Sequence, residues 1–294
     1  MPRGYLLILF LCAVVAGGEP HSYEEHFAGK FGSHGDGTSQ FTQLLWGLAV
    51  ASLADGGAVY IVDCSPSDDG SLPCAVKVFT REGDYLLTIG GPGQGPGQPR
   101  VWRRADAEPY ALTNSGGMLY VVDRNLNRVT VFDGQGKYIK HWGNPDPSAD
   151  EDPNAPPTSA PGQFDAPCGV AAAESGDVFV LDCGNFRVQQ FTAMGDFIRQ
   201  WGSFGTDYGQ FTKPRGIAAV GTWVFTLDGT PRIQRFSAGT GSLQLAWGTR
   251  SEAAPAPPSD GTMKSPFAIA LDETGMVYVQ DNGNFRLQKF FNPT

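Results

Sequence analysis

PCGVAAAESGDVFVLDCGNFRVQQFTAMGDFIRQWG, residues 167–202, is the unit from which this chain is built. It returns as PRGIAAVGTWVFTLDGTPRIQRFSAGTGSLQLAWG (214–248), and earlier as PYALTNSGGMLYVVDRNLNRVTVFDGQGKYIKHWG (109–143). A further copy, PFAIALDETGMVYVQDNGNFRLQKFF (266–291), stands near the end, and a degenerate one occupies 45–91. Units that recur at this spacing bury their apolar faces against one another, so repetition sets the architecture.

Within each copy the β signals follow one order. A first strand follows a proline, as in Gly169-Val-Ala-Ala. A glycine turn leads to a second strand ending in aspartate, Val178-Phe-Val-Leu-Asp182, and a polar turn to a third, Arg187-Val-Gln-Gln-Phe191. Another glycine turn gives a fourth, Phe197-Ile-Arg-Gln-Trp201-Gly202. Apolar and polar residues alternate with period two, the spacing of a strand with two unlike faces. Four short antiparallel strands per repeat describe a propeller blade.

The repeated aspartates Asp63, Asp123, Asp182, Asp228 and Asp281 mark five blades of an all-β propeller, with six as the alternative. The last copy stops after its third strand. Residues 22–33, with His26-Phe-Ala-Gly-Lys-Phe31-Gly32 in the place of the Trp-Gly ending, are expected to supply the outer strand of the last blade. Such closure protects edges that would otherwise pair with other chains.

Residues 1–18 read as a secretory signal: Arg3, an apolar run from Tyr5 to Val15, then Ala16-Gly17-Gly18. The run is too short to span a bilayer. Residues 19–294 then form a single propeller domain, expected in an extracellular or secretory-pathway compartment. The formal charge of −9 argues against nucleic acid and anionic membrane surfaces as partners. Losing residues 1–18 removes Arg3 and no acid. A monomer is expected.

Four cysteines lie beyond residue 18. Cys168 and Cys183 are equidistant from a turn centred between Ser175 and Gly176, and so face each other across a hairpin. Cys64 and Cys74 bracket the polar insertion SPSDDGSLP. Two disulfides are expected.

Gly162-Gln163-Phe164…Pro167, Asp182…Asn185-Phe186-Arg187, Gly209-Gln210-Phe211…Pro214 and Asp281-Asn-Gly-Asn284-Phe285-Arg286 resemble the NHL repeat family of β-propellers. The resemblance covers nearly all of residues 27–292. It is weakest in the first copy, where the cysteine-bracketed insertion replaces the Asn-x-Arg turn and Lys77 stands near the arginine position. Most members have six blades. The family includes intracellular protein- and RNA-binding propellers, receptor domains and a secretory-pathway enzyme, peptidyl-hydroxyglycine amidating lyase. The resemblance to that enzyme implies zinc-binding histidines just after each repeat proline. Here those positions hold Trp46, Tyr110, Cys168, Arg215 and Phe267. Zinc catalysis requires converging ligands with one open position, and this chain lacks the imidazoles there. No catalytic residues, metal ligands or cofactor are expected; structural calcium or zinc stays open.

The aspartates, with Asn127, Asn185 and Asn284, recur in too many blades to be a catalytic set. They are expected to cap the turns between second and third strands, and Arg128, Arg187, Arg232 and Arg286 to pair with groups of neighbouring blades. What differs between copies is the residue after each proline. Trp46, Tyr110, Arg215 and Phe267 at a channel mouth can hold a planar or anionic ligand by stacking and charge-assisted hydrogen bonds, or pack on one another as a plug. Arg100, Trp102, Arg103 and Arg104 form a basic loop that can take an anionic glycan. The sequence therefore reads as a secreted binding or scaffold propeller for protein, peptide or glycan. A metal-dependent lyase or hydrolase is the alternative.

Overall fold

A computed structural model describes residues 33–34, 40–41, 44–51, 58–64, 74–80, 83–90, 109–144, 159–250, 259–272 and 275–291. The expected signal segment, the closing strand apart from Ser33, and the basic loop Arg100–Arg104 lie outside them.

Two short strands, β1 (Ser33–His34) and β2 (Gln40–Phe41), precede the first blade, which comprises β3 (Leu44–Ala51), β4 (Ala58–Cys64), β5 (Cys74–Thr80) and β6 (Tyr85–Gly90). Blade 2 comprises β7 (Pro109–Ser115), β8 (Met118–Asp123), β9 (Arg128–Asp133) and β10 (Tyr138–Gly143). Blade 3 follows as β11 (Pro167–Ala172), β12 (Val178–Asp182), β13 (Arg187–Phe191) and β14 (Phe197–Trp201). Blade 4 is β15 (Pro214–Val220), β16 (Trp223–Asp228), β17 (Arg232–Ser237) and β18 (Leu243–Trp247). After the short β19 (Thr249–Arg250) and β20 (Thr262–Met263), blade 5 contains β21 (Pro266–Leu271), β22 (Val277–Asp281) and β23 (Arg286–Phe290). Each blade is an antiparallel meander in chain order, the fifth having three strands among the described residues. The protein is thus an all-β, five-bladed propeller, as the repeat count predicts.

The first strands of successive blades contact one another, β3 with β7, β7 with β11, β11 with β15 and β15 with β21. They therefore lie innermost. Burial follows that order. All of β12 and β13 is buried, whereas three of the five residues of β14 are exposed. A central strand covered by a blade on each side has no polar face, which is why Val178-Phe-Val-Leu reads as a continuous apolar run.

Among the described residues four apolar clusters join neighbouring blades, and a fifth, Val59, Ile61 and Phe79, lies within blade 1. Tyr120, Val122 and Trp142 of blade 2 pack with Val170, Val180 and Phe191 of blade 3. Phe179, Val188 and Trp201 of blade 3 pack with Val224 and Phe236 of blade 4.

The Trp-Gly ending acquires a physical reason here. Gly143, Gly202 and Gly248 have φ of +120°, +101° and +99°, which a side chain resists. A Cβ on them would also strike a residue of the linker into the next blade: Phe164, Phe211 and Met263 respectively. Trp142 and Trp201 lie under the next blade's Gly195 and Gly241, where a Cβ would come within 2.6 Å of the indole.

The linkers between blades repeat as well. Thr249–Arg250 pairs in parallel with Thr262–Met263, and Phe204 bridges Phe211 in the same sense. Ser33–His34 pairs in parallel with Gln40–Phe41, so the segment leading into blade 1 has the form of a link that leaves a fourth strand.

Candidate functional site

The polar residues that recur in each blade are consumed in holding the linkers. Asp182, fully buried, accepts from the Asp165 backbone N–H through Oδ1 and from Asn185 and Arg187 through Oδ2. Asp228 accepts from the backbone of Thr212, Lys213 and Thr230, and Asp281 from Lys264, Asn284 and Arg286. The aspartate therefore fixes the segment before its blade as well as the turn after its strand. Burial pushes the Asp182 carboxyl above its ordinary range, and the three donors, with the charge of Arg187, pull it back.

The arginines do not pair as expected. Arg187, Arg232 and Arg286 form ion pairs with the aspartate of their own blade, not with acids of a neighbour. Their remaining N–H groups donate to linker carbonyls; Arg187 reaches those of Ser159, Ala160 and Gln163. The register explains this. Asp182 stands directly opposite Arg187, Asp228 opposite Arg232 and Asp281 opposite Arg286. The glutamine two residues on completes the clamp: Gln189 donates to the Gln163 carbonyl and accepts from Gly162. In blade 1, Lys77 replaces the arginine and meets Asp63 at 2.8 Å.

At the proline ends of the inner strands the blades differ. A register shift follows Pro109, Pro167, Pro214 and Pro266 in turn, each of which stands opposite the blade's aspartate. The residue after the proline and the residue after the aspartate are thereby brought to the same end. In blade 2 these are Tyr110 and Arg124, with the guanidinium 5.2 Å from the ring centroid. In blade 3 they are Cys168 and Cys183, which form a disulfide with Cα atoms 5.7 Å apart. In blade 4 they are Arg215 and Gly229, and in blade 5 Phe267 and Asn282.

Blades 2, 3 and 4 converge on a cleft of about 360 Å³ at this end, lined by Arg124, Cys183, Phe186, Lys213 and Arg215. A smaller pocket of about 40 Å³ shares Arg124, Cys183, Pro214 and Arg215 with it and adds Tyr110 and Cys168. Both disulfide sulfurs lie close to the Pro214 carbonyl oxygen, at 3.7 and 3.5 Å. On the outer rim Phe186 meets the exposed Phe204 edge to face, with centroids 5.0 Å apart.

Of the residues singled out from sequence, the structure brings together Tyr110, Arg215 and the Cys168–Cys183 disulfide. Phe267 is half-exposed one blade further on, and the side chain of Trp46 lies outside the described residues. Arg124 and Lys213 were missed. Their signal was the same disagreement between copies: Arg124 aligns with cysteine, glycine and asparagine, and Lys213 with alanine and serine. Cys64 and Cys74 are register partners across β4 and β5, and Cys74 is a disulfide cysteine. His141 lies on the outer strand β10, sharing a 2.7 Å hydrogen bond with Tyr138. Among the described residues no three His, Cys, Asp or Glu side chains are grouped to hold a metal ion, and no helix is long and apolar enough to cross a membrane.

The NHL repeat family model matches residues 164–191, from the linker phenylalanine to the end of β13. The chain is a β-propeller with an NHL repeat in its third blade. The propeller is similar in fold to virginiamycin B lyase from Staphylococcus aureus, with 16% identity, TM-score 0.50, and 85% of this chain and 70% of that one covered. A streptogramin B lyase structure gives 15% identity and TM-score 0.52, covering 85% and 69%. A nidogen/laminin complex gives 14% identity and TM-score 0.48, covering 84% and 79%. At these identities the likeness concerns the fold alone.

Proposed function

We propose that this NHL propeller is a secreted binding module that captures a protein, peptide or glycan at the channel mouth and its surrounding loops. The observation that carries the reading is the contrast between conserved and divergent positions within one molecule. Asp182, Arg187, Asn185 and Gln189 are engaged with one another and with the linker, which leaves them little chemistry to offer a ligand. The varying positions of blades 2, 3 and 4 meet instead around one open cleft, the arrangement by which scaffolds present binding residues. The disulfide of blade 3 accords with an oxidising compartment.

The test is a screen of purified protein against a peptide display library and a glycan array. Selected ligands are then measured on a variant carrying Trp46→Ala, Tyr110→Ala, Arg215→Ala and Phe267→Ala. Saturable ligands that the variant no longer captures are the expected result. Ligands held equally well by the variant would move the site elsewhere. Metal analysis of the same preparation addresses the metal-dependent lyase or hydrolase alternative: the binding reading expects far less than one zinc or calcium per chain, and stoichiometric metal would favour the enzyme.

A further inference from the structure

We infer that the cleft between blades 2, 3 and 4 recognises a carboxylate of an acidic peptide segment, gripped by Arg124, Lys213 and Arg215. The inference rests on the binding-module reading and supplies its ligand chemistry.

The cleft is cationic. Three cations line one cleft in a chain whose formal charge is −9. In this protein arginines at structural positions are matched: Arg187, Arg232 and Arg286 each have an aspartate within 4 Å. The three cleft cations are not. Among the described residues neither Lys213 nor Arg215 makes a side-chain ion pair or hydrogen bond, and the Arg124 guanidinium meets only the face of Tyr110. Asp165 is one carboxylate beside the cleft. It lies against Gly184, where a Cβ would meet its Oδ2 at 2.4 Å, and forms no ion pair with the three. Cations gathered without a counter-charge repel one another, and an incoming anion relieves that cost.

The shape of these cations selects the kind of anion. Two guanidinium groups offer planar forks that match a carboxylate in two-point fashion, with the lysine as a point charge beside them. The side chains of the main cleft either only donate hydrogen bonds, as Arg124, Lys213 and Arg215 do, or are apolar, as Ala166, Pro214 and Phe186 are. A sugar ring presents hydroxyls that seek acceptors as well as donors. This lining suits an oxyanion attached to an apolar body.

The rim of the cleft is aromatic. Phe186 is held at φ +55°, a conformation that opposes a bulky side chain. It packs against Phe204, which is 68% exposed. An aromatic pair kept at the edge of a cationic cleft can cover the apolar side chains that flank an acidic residue in a peptide.

Fluorescence anisotropy decides the matter, using a capped fluorescein-labelled peptide of alternating Glu and Phe or Leu. Its companions are the Gln counterpart with both ends capped, the same Gln peptide with a free C-terminal carboxylate, and a heparin-derived sulfated oligosaccharide. The capped acidic peptide is expected to bind saturably and the capped Gln peptide about tenfold or more weaker. Recovery by the free C-terminus assigns the site to a terminal carboxylate, and no recovery assigns it to side chains; either supports the inference. A variant with Arg124→Gln, Lys213→Gln and Arg215→Gln should lose binding while keeping its melting profile. Arg215→Gln alone, at an exposed residue, provides a check free of folding effects. A control with Lys137→Gln, Lys140→Gln and Arg199→Gln on blade edges removes the same charge and should bind normally. Equal losses in the two triple variants, tighter binding of the sulfated oligosaccharide at the same residues, or no saturable acidic-peptide binding would each overturn the inference. Capture of a neutral ligand through Tyr110 and Phe267 would overturn it too, while leaving the binding-module reading in place.

Discussion

Asp182 and Arg187 face each other at the ends of adjacent strands, 2.8 Å apart, with side-chain exposures of 0% and 6%. The pair also carries the linker that enters blade 3, through the Asp165 N–H on one side and the Ser159, Ala160 and Gln163 carbonyls on the other. Removing one partner strands a buried charge, so Arg187→Met or Asp182→Ala should cost about 3–5 kcal/mol in urea unfolding. In blade 5 Arg286 is 24% exposed, so water can replace part of the lost pairing, and Arg286→Met should cost less. Equal costs in the two blades would refute the role given to burial.

The glycines separate two kinds of constraint. Gly176 and Gly202 both have positive φ, +89° and +101°. Around Gly176 nothing lies within 4 Å of an added Cβ, whereas at Gly202 that atom would come within 2.5 Å of Phe211. Gly176→Ala should therefore cost about 1–2 kcal/mol from backbone conformation alone. Gly202→Ala adds roughly 1–3 kcal/mol of overpacking. Chemical denaturation of both variants measures the difference, and indistinguishable midpoints would contradict the packing argument.

This pair shows how far the sequence could be read. The Trp-Gly ending was visible as a motif, and so was the glycine-glutamine-phenylalanine that opens the next blade. That they touch was not, because the contact joins two blades and no period within one strand encodes it. The arginine partners were misjudged for a related reason: pairing depends on register, which sets Asp182 opposite Arg187 inside one blade. The site was half legible. Positions after each proline stood out as variable, but Arg124 and Lys213 meet at the cleft because the proline of each blade stands opposite its aspartate, Pro109 by Asp123 and Pro214 by Asp228.

Alkaline pH should weaken the fold through buried phenols. Tyr120 is fully buried and Tyr60 nearly so, and burial raises both phenols above the ordinary value of 10.0. A phenol that holds its proton more tightly when folded contributes stability that is complete below that value and lost as pH rises beyond it. Thermal unfolding followed from pH 8 upward should show a decline that begins near pH 10. In Tyr120→Phe the decline should be shallower. That variant should start about 0.5–1.5 kcal/mol lower, because the hydroxyl donates to the Ala193 carbonyl of blade 3. An unchanged alkaline slope would assign the loss to other groups.

The Cys168–Cys183 disulfide closes a hairpin of sequence separation 15, a loop for which the chain-entropy contribution is about 3 kcal/mol. It joins strands already paired along Gly169–Ala172 and held at Asp182, so the blade should survive its loss. The double variant Cys168→Ala, Cys183→Ala should fold, unfold at lower urea by roughly that amount, and leave the m-value little changed. Reductant should lower the midpoint of the wild-type protein further than that of the double variant, whose remaining response reports the cysteines of blade 1. A double variant as stable as wild type would mean that the bridge constrains nothing the ladder does not already hold, and its place beside Arg124 and Arg215 would then be its only evident role.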